Sequence, residues 1–137
     1  MIRYAADVVE ILPSQLPGFF EGWPNPPSPE THLRLLQSSS HVVIALADSE
    51  QVVGFVTAIS DGALSAYIPF LEVLPSHRGR GIGRELIRRV LSQLRDIYSI
   101  NLHCDPELTS FYEHLGMQSL GGMAIRNYEN QSGAHAV

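Results

Sequence analysis

The stretch YIPFLEVLPSHRGRGIGRELIRR, from Tyr67 to Arg89, decides how this chain is read. Its first eight residues, Tyr67 to Leu74, are rich in aromatic and branched side chains, the composition of a buried strand. Pro75 and Ser76 stop that strand. Glycines follow at 79, 81 and 83, and Ile82, Leu86, Ile87, Val90, Leu91 and Leu94 then recur on one helical face. The pattern predicts a strand, a glycine-rich turn and a helix N-terminus. Glycine lets the backbone turn tightly and lets its amides approach a ligand without a Cβ in the way. The first amides of a helix have no partner inside it and lie at the positive end of its dipole, so the expected guest is a phosphate or pyrophosphate.

Two other phosphate motifs do not fit. A P-loop needs Gly-Lys-Ser/Thr, and the chain contains no lysine. The dinucleotide fingerprint needs a glycine at Arg84 and normally follows the first strand of a domain. Charge narrows the guest further. The net charge is −5, yet Arg78, Arg80, Arg84, Arg88 and Arg89 fall within twelve residues that hold one acid, Glu85. A local cationic patch on an acidic protein suits a small polyanion better than a nucleic acid, which calls for a broad basic face.

Val73-Leu74-Pro75 followed by Arg78 through Gly83 resembles the acetyl-coenzyme A motif of the GNAT superfamily of N-acetyltransferases. Phe111-Tyr112-Glu113-His114-Leu115-Gly116-Met117 resembles that family's second signature, a helix ending Tyr-x-x-Leu-Gly-Phe/Met. The resemblance implies a mixed α/β fold, with a central, mostly antiparallel sheet of about seven strands, a splayed parallel pair and about four flanking helices. It implies acetyl-coenzyme A as acetyl donor. The pantetheine arm would pair with the backbone of Leu71 and Val73, and the pyrophosphate would lie on Arg78, Gly79, Arg80, Gly81, Ile82, Gly83 and Arg84. Tyr112 would be the general acid. The chain departs from the family pattern at Asp105 and Leu108, where many members have Asn and Ala, and at Pro69 and Phe70, where many place a carboxylate base. The base is therefore open among Glu72, His103 and a water chain.

At 137 residues the chain is long enough for one domain with one core. The expected domain spans 1–128, with a disordered polar tail over 129–137. Single Cys104 excludes an internal disulfide and fits a reducing cytoplasm. No apolar run reaches the length of a membrane span, and the start of the sequence lacks the pattern of a signal peptide. The six histidines are scattered, so no metal site is expected. Adjacent His103 and Cys104 point to opposite faces of a strand and cannot act as a nucleophile and its base.

In order, the sequence predicts a strand over Ile2–Ala6, a short helix over Ser14–Phe20, and a loop over Gly22–Glu30 with four prolines. Ser28 and Pro29 then start a helix whose apolar face is Leu33, Leu35 and Leu36. His41–Ala47 and Val52–Ile59 form a hairpin, and Leu64–Leu74 leads into the glycine turn. A helix from Gly81 to about Asp96 precedes a strand over Ser99–Cys104. Asp105 and Pro106 then cap a helix to Leu115. Met117–Leu120 and Met123–Tyr128 close the sheet as a hairpin over Gly121-Gly122. Phe19, Phe20, Glu21 and Trp23 are candidates for an acceptor pocket, and Glu21 and Asp61 could attract a cationic amine.

The reading is an N-acetyltransferase acting on a primary amine by direct transfer in a ternary complex. The alternatives are a non-catalytic acyl-coenzyme A-binding module and a nucleotide-binding module. The expected partner is a small-molecule or peptide amine, with neither nucleic acid nor membrane involved. The sequence leaves a homodimer open.

Overall fold

Residues Val52 to Ala58 are buried without a break, which requires a strand covered on both faces. They belong to β3 (Val52–Ser60), the middle strand of the sheet in a computed structural model that describes residues 1–134. Around it lie β1 (Arg3–Ala5), β2 (His41–Leu46), β4 (Ser65–Val73) and β5 (Ser99–Asn101), in the order β1-β2-β3-β4-β5. The first four are antiparallel neighbours, and β5 runs parallel to β4.

One sheet face is covered by α2 (Ile82–Gln93), whose Ile82, Leu86, Ile87 and Val90 are buried at helical spacing. A Cβ on Gly54 would lie 3.1 Å from Leu86 Cδ1 and 3.2 Å from Ile82 Cγ2, so the helix rests directly on β3. The other face carries α1 (Pro29–Ser38) and the loop from Phe19 to Trp23. Helix α1 starts as the sequence predicts: Ser28 Oγ accepts the Thr31 amide at 3.1 Å, and Pro29 occupies the first position, where no amide is needed. Its fully buried residues are His32 and Leu36, however, with Leu33 and Leu35 only half-buried. Phe19, Phe20 and His32 meet Phe55 edge-on or tilted, with centroids 5.1, 6.0 and 4.4 Å away.

The expectation of seven strands and four helices needs correction. The described residues form five strands and three α-helices, the third being α3 (Thr109–Glu113), plus four single 3-10 turns. The predicted helix over Ser14–Phe20 shrinks to a turn at Pro13–Gln15, because Pro17 and Gly18 block its continuation. Asp105 makes no side-chain cap, and Pro106–Leu108 is a 3-10 turn leading into α3. The final hairpin is absent among the described residues. Strand β5 is three residues long, a short ledge for a further hairpin, and a two-stranded hairpin on its own is marginal. The segment expected as a disordered tail carries a 3-10 turn at Tyr128–Asn130, a Gln131 Oε1 that accepts the Asn25 amide at 3.1 Å, and a Gly133 carbonyl that accepts from Arg34 at 3.0 Å. The rest of that expectation, 135–137, lies outside the described residues.

Candidate active site

Strands β4 and β5 pair only from Ser65↔Ser99 to Tyr67↔Asn101, after which they part. The parting coincides with a bulge. Thr57 lies opposite Phe70 and Ile59 opposite Tyr67, so Ala58 faces both Ile68 and Pro69. A proline is tolerated there because it has no N–H to give the ladder. The extra residue changes which side chains face which layer. Before the bulge Ala66 and Ile68 face α2 by register; after it, Leu71 and Val73 do, while Phe70 and Glu72 sit opposite Thr57 and Phe55 on the α1 side.

The ladder alternation also decides where the backbone points. The Leu74 amide donates to the Val53 carbonyl at 2.8 Å, so Phe70, Glu72 and Leu74 direct their polar groups toward β3. Leu71 and Val73 turn theirs toward the gap. A cleft of about 1240 Å3 opens there, walled by β4 from Ile68 to Glu72, by 98–105, and by Tyr112, Phe20 and Trp23.

Tyr112 is 9% exposed and packs edge-on against Phe111, with centroids 4.9 Å apart at 83°. No side-chain hydrogen bond involves Tyr112 among the described residues, and the residue lines the cleft. Burial and, to a lesser degree, the neighbouring Cys104 push its pKa up to about 12, so it is a protonated donor at any physiological pH.

Glu72 also lines the cleft, but its carboxylate is engaged. It accepts the Phe20 amide at 2.9 and 3.0 Å and the Glu21 amide at 3.4 Å. These bonds hold Phe20 at a φ of +63°, a left-handed conformation that a bulky residue seldom adopts unaided. Burial raises the Glu72 pKa, and the two amides and Arg78 pull it only partly back. Glu72→Gln removes the charge and turns one of the two accepting oxygens into a donor. A loss of about 1–3 kcal/mol of stability is expected, read as a lower urea midpoint at unchanged slope. An unchanged midpoint removes Glu72 as the anchor of this loop.

The glycine turn lies at the head of α2. Gly79 and Gly81 have φ of +77° and +80°, which is why glycine stands at both. Apart from bonds inside the helix, none of the amides from Gly79 to Arg84 has a backbone partner among the described residues. Ile82 is buried beneath the turn, so it contributes only its amide, and Gly83 approaches Val73 and Phe111. The five arginines divide. Arg88 and Arg89 pair with Glu85, whose pKa they hold down at about 2. Arg78 pairs with Glu21 at 2.9 Å and donates to the Val73 carbonyl at 3.0 Å. Arg80 and Arg84 have no ion pair among the described residues. Arg78 is therefore a strut between the turn and the Phe19–Trp23 loop, and the cations available to an anion are Arg80 and Arg84.

Of the other sequence candidates, Glu21 is occupied by Arg78, and Asp61 closes its turn by accepting the amides of Ala63, Leu64 and Ser65. Phe19 is core, while Phe20 and Trp23 form a cleft wall with Phe70, at centroid distances of 5.0 to 6.2 Å. His103 Nδ1 lies 3.3 Å from the Tyr67 hydroxyl. Phe70 completes this wall, although the residue pattern around it does not single it out. The available signal was Pro69 inside a strand, which marks a bulge and turns Phe70 inward.

The sequence profile of the Acetyltransferase (GNAT) family matches residues 7–117. An N-acetyltransferase designated ycf52 in Pyropia yezoensis is 33% identical over 101 residues, covering 69% of this chain and 57% of that protein. The serotonin N-acetyltransferase 2 of Oryza sativa subsp. japonica is 30% identical over 112 residues, covering 74% of this chain and 56% of the relative. The chain thus spans little more than half the length of these relatives. A crystal structure of an acetyltransferase from Deinococcus radiodurans R1 superposes with a TM-score of 0.95 at 47% identity, covering 98% of this chain and 94% of its own. A GNAT-family structure from Streptococcus pneumoniae TIGR4 gives 0.74 at 26% identity, with coverages of 93% and 99%.

Proposed function

Because the chain belongs to the GNAT acetyltransferase family, we propose that it transfers the acetyl group of acetyl-coenzyme A to a primary amine held in the same cleft. The observation that carries this reading is Tyr112, which makes no side-chain hydrogen bond among the described residues and lines the gap into which Leu71 and Val73 turn their backbone groups.

The residues suit a donor with a polar, extended arm and a polyphosphate end. Leu71 and Val73 offer strand-like hydrogen bonding to an arm entering the gap. The free amides from Gly79 to Arg84, with Arg80 and Arg84, offer an anion seat at the head of α2. A neutral amine attacks the thioester carbonyl; the C–N bond forms and the C–S bond breaks. Tyr112 gives its proton to the departing thiolate, and the amine's proton passes to Glu72, directly or through water. Phe20, Trp23 and Phe70 beside Glu72 favour an amine carried on a flat or apolar group.

One observation favours a second reading. Pro69 and Phe70 stand where a base carboxylate is common in the family, and the Glu72 carboxylate is bound to backbone. A binding module without turnover accounts for both.

Thermal melting with acetyl-coenzyme A, coenzyme A, ATP and NAD tests the shared premise. A ligand at a hundred times its dissociation constant stabilises by roughly 2.7 kcal/mol, a shift of several degrees for a domain of this size. A shift with the coenzyme A forms alone is expected. No shift with any ligand, or an equal shift with ATP, overturns the cofactor assignment.

A further inference from the structure

Strands β4 and β5 form a fork, and a side-chain staple crosses its closed end. Tyr67 is the last residue of β4 in register with β5, opposite Asn101. Its diagonal neighbour across the fork is His103, at the separation that aromatic side chains can span. The Tyr67 hydroxyl and His103 Nδ1 lie 3.3 Å apart, a hydrogen bond. The two rings meet edge-on, with centroids 5.6 Å apart at 64°. Gly122 crowds the same ring, since a Cβ there would lie 2.8 Å from Nε2. The imidazole is therefore confined by Tyr67 and by Gly122.

The backbone of β4 says how far an arm can run toward this staple. Leu71 and Val73 turn their polar groups into the gap, and alternation puts Pro69 next. Proline has no N–H to offer, so strand-like pairing that enters from the Val73 end stops at Leu71. The reacting end of the arm then rests beside Pro69, where Ile68, Phe70 and His103 also line the cleft. From Pro69 to Tyr67 is two residues, about 7 Å of strand. Contact between carbon atoms takes up about 4 Å of that distance. The remaining length, about 3 Å, holds roughly two carbon–carbon bonds.

We propose that the Tyr67–His103 pair is the stop that sets the acyl length of the donor, admitting an acetyl or propionyl group and rejecting butyryl and longer chains. This rests on the coenzyme A reading and adds to it the class of acyl group carried. A longer chain must displace the staple or bend out of the gap toward Phe20, Trp23 and Phe70, where the amine is expected. Either course takes the arm away from Leu71, so affinity falls.

Calorimetry with free coenzyme A and its acetyl, propionyl, butyryl and hexanoyl thioesters tests this without an identified amine. The wild type is expected to bind the propionyl form much as it binds the acetyl form. It should bind the butyryl and hexanoyl forms about 10-fold or more weakly, the cost of overfilling a packed site. In Tyr67→Ala the acetyl and butyryl affinities should become nearly equal, with His103→Ala in between. Free coenzyme A is the internal control, because a variant that only disturbs the fold weakens every form alike. Tyr67 is 37% exposed and His103 is exposed, so neither substitution hollows the core. Should Tyr67→Ala lose free coenzyme A as well, His103→Ala decides alone. A wild type that binds butyryl- as tightly as acetyl-coenzyme A overturns the stop. So does an acetyl-to-butyryl ratio that stays unmoved in a variant still binding free coenzyme A. A wild type that binds no form of coenzyme A overturns the cofactor assignment and this inference with it, which tells the two failures apart.

Discussion

Tyr112→Phe is expected to lower turnover by about 10²–10⁴-fold while leaving acetyl-coenzyme A affinity unchanged. The substitution removes one oxygen and keeps the ring that packs against Phe111. No side-chain hydrogen bond involves Tyr112 among the described residues, so the loss of its hydroxyl leaves no buried donor or acceptor behind, and the melting temperature should stay near that of the wild type. Turnover is read as thiol release with an amine identified by screening, and affinity by calorimetry. A variant that binds and turns over like the wild type removes Tyr112 as the acid. If the wild type binds coenzyme A but releases no thiol with any amine, the binding-module reading gains.

A pH-dependent loss of stability traced to His32 is the second large effect. The ring is 1% exposed among Phe19, Phe20 and Phe55, and neither nitrogen has a hydrogen-bond partner among the described residues. Burial drives its pKa from the usual 6.5 to about 4. The unfolded chain takes up this proton near pH 6.5, whereas the folded chain resists until about pH 4. Stability therefore falls as pH drops through that window and is fully present above it. At 1.36 kcal/mol per pKa unit the full effect is about 3 kcal/mol, of which about 2 should be lost between pH 7 and 4.5. Urea unfolding of wild type and His32→Leu at the two pH values isolates this share from the carboxylates, because only the wild type carries it. Equal pH dependence in both sinks the assignment. Should the variant unfold, the His32 ring signal in NMR gives the same answer by staying neutral at pH 5.

Local signals made much of the frame legible. Ser28 and Pro29 announce the start of α1, the spacing of Ile82, Leu86, Ile87 and Val90 announces α2, and Asp48-Ser49-Glu50 announces the hairpin of β2 and β3. What failed depended on contacts distant in sequence. Arg78 looks like a phosphate ligand until Glu21, 57 positions earlier, is found against it. Glu72 reads as a free base until two amides of a loop 51 and 52 residues away are seen to claim it. The apolar pattern of α1 points to Leu33, Leu35 and Leu36 and not to His32, because polarity argues against burial and only the aromatic cage supplies the reason for it. The strand expected over Met123 to Tyr128 does not form among the described residues, because its pattern is only a propensity and no neighbouring strand there pairs with it.

The bulge at Ile68 and Pro69 also governs which length changes β4 can absorb. One residue gained or lost at the turn over Asp48 to Gln51 is taken up by the loop. One residue lost at the bulge only makes the ladder regular: Ala58 would face a single residue, and Phe70 and Glu72 would stay opposite Thr57 and Phe55. Losing Leu71 instead is a phase error: Glu72 would be aimed at α2, and Val73 would turn its backbone groups into the ladder with β3. The anchor of the Phe20 loop and part of the donor's pairing edge would vanish together. Substitutions along this strand can be tuned one at a time, but beyond the bulge its length is a single shared setting.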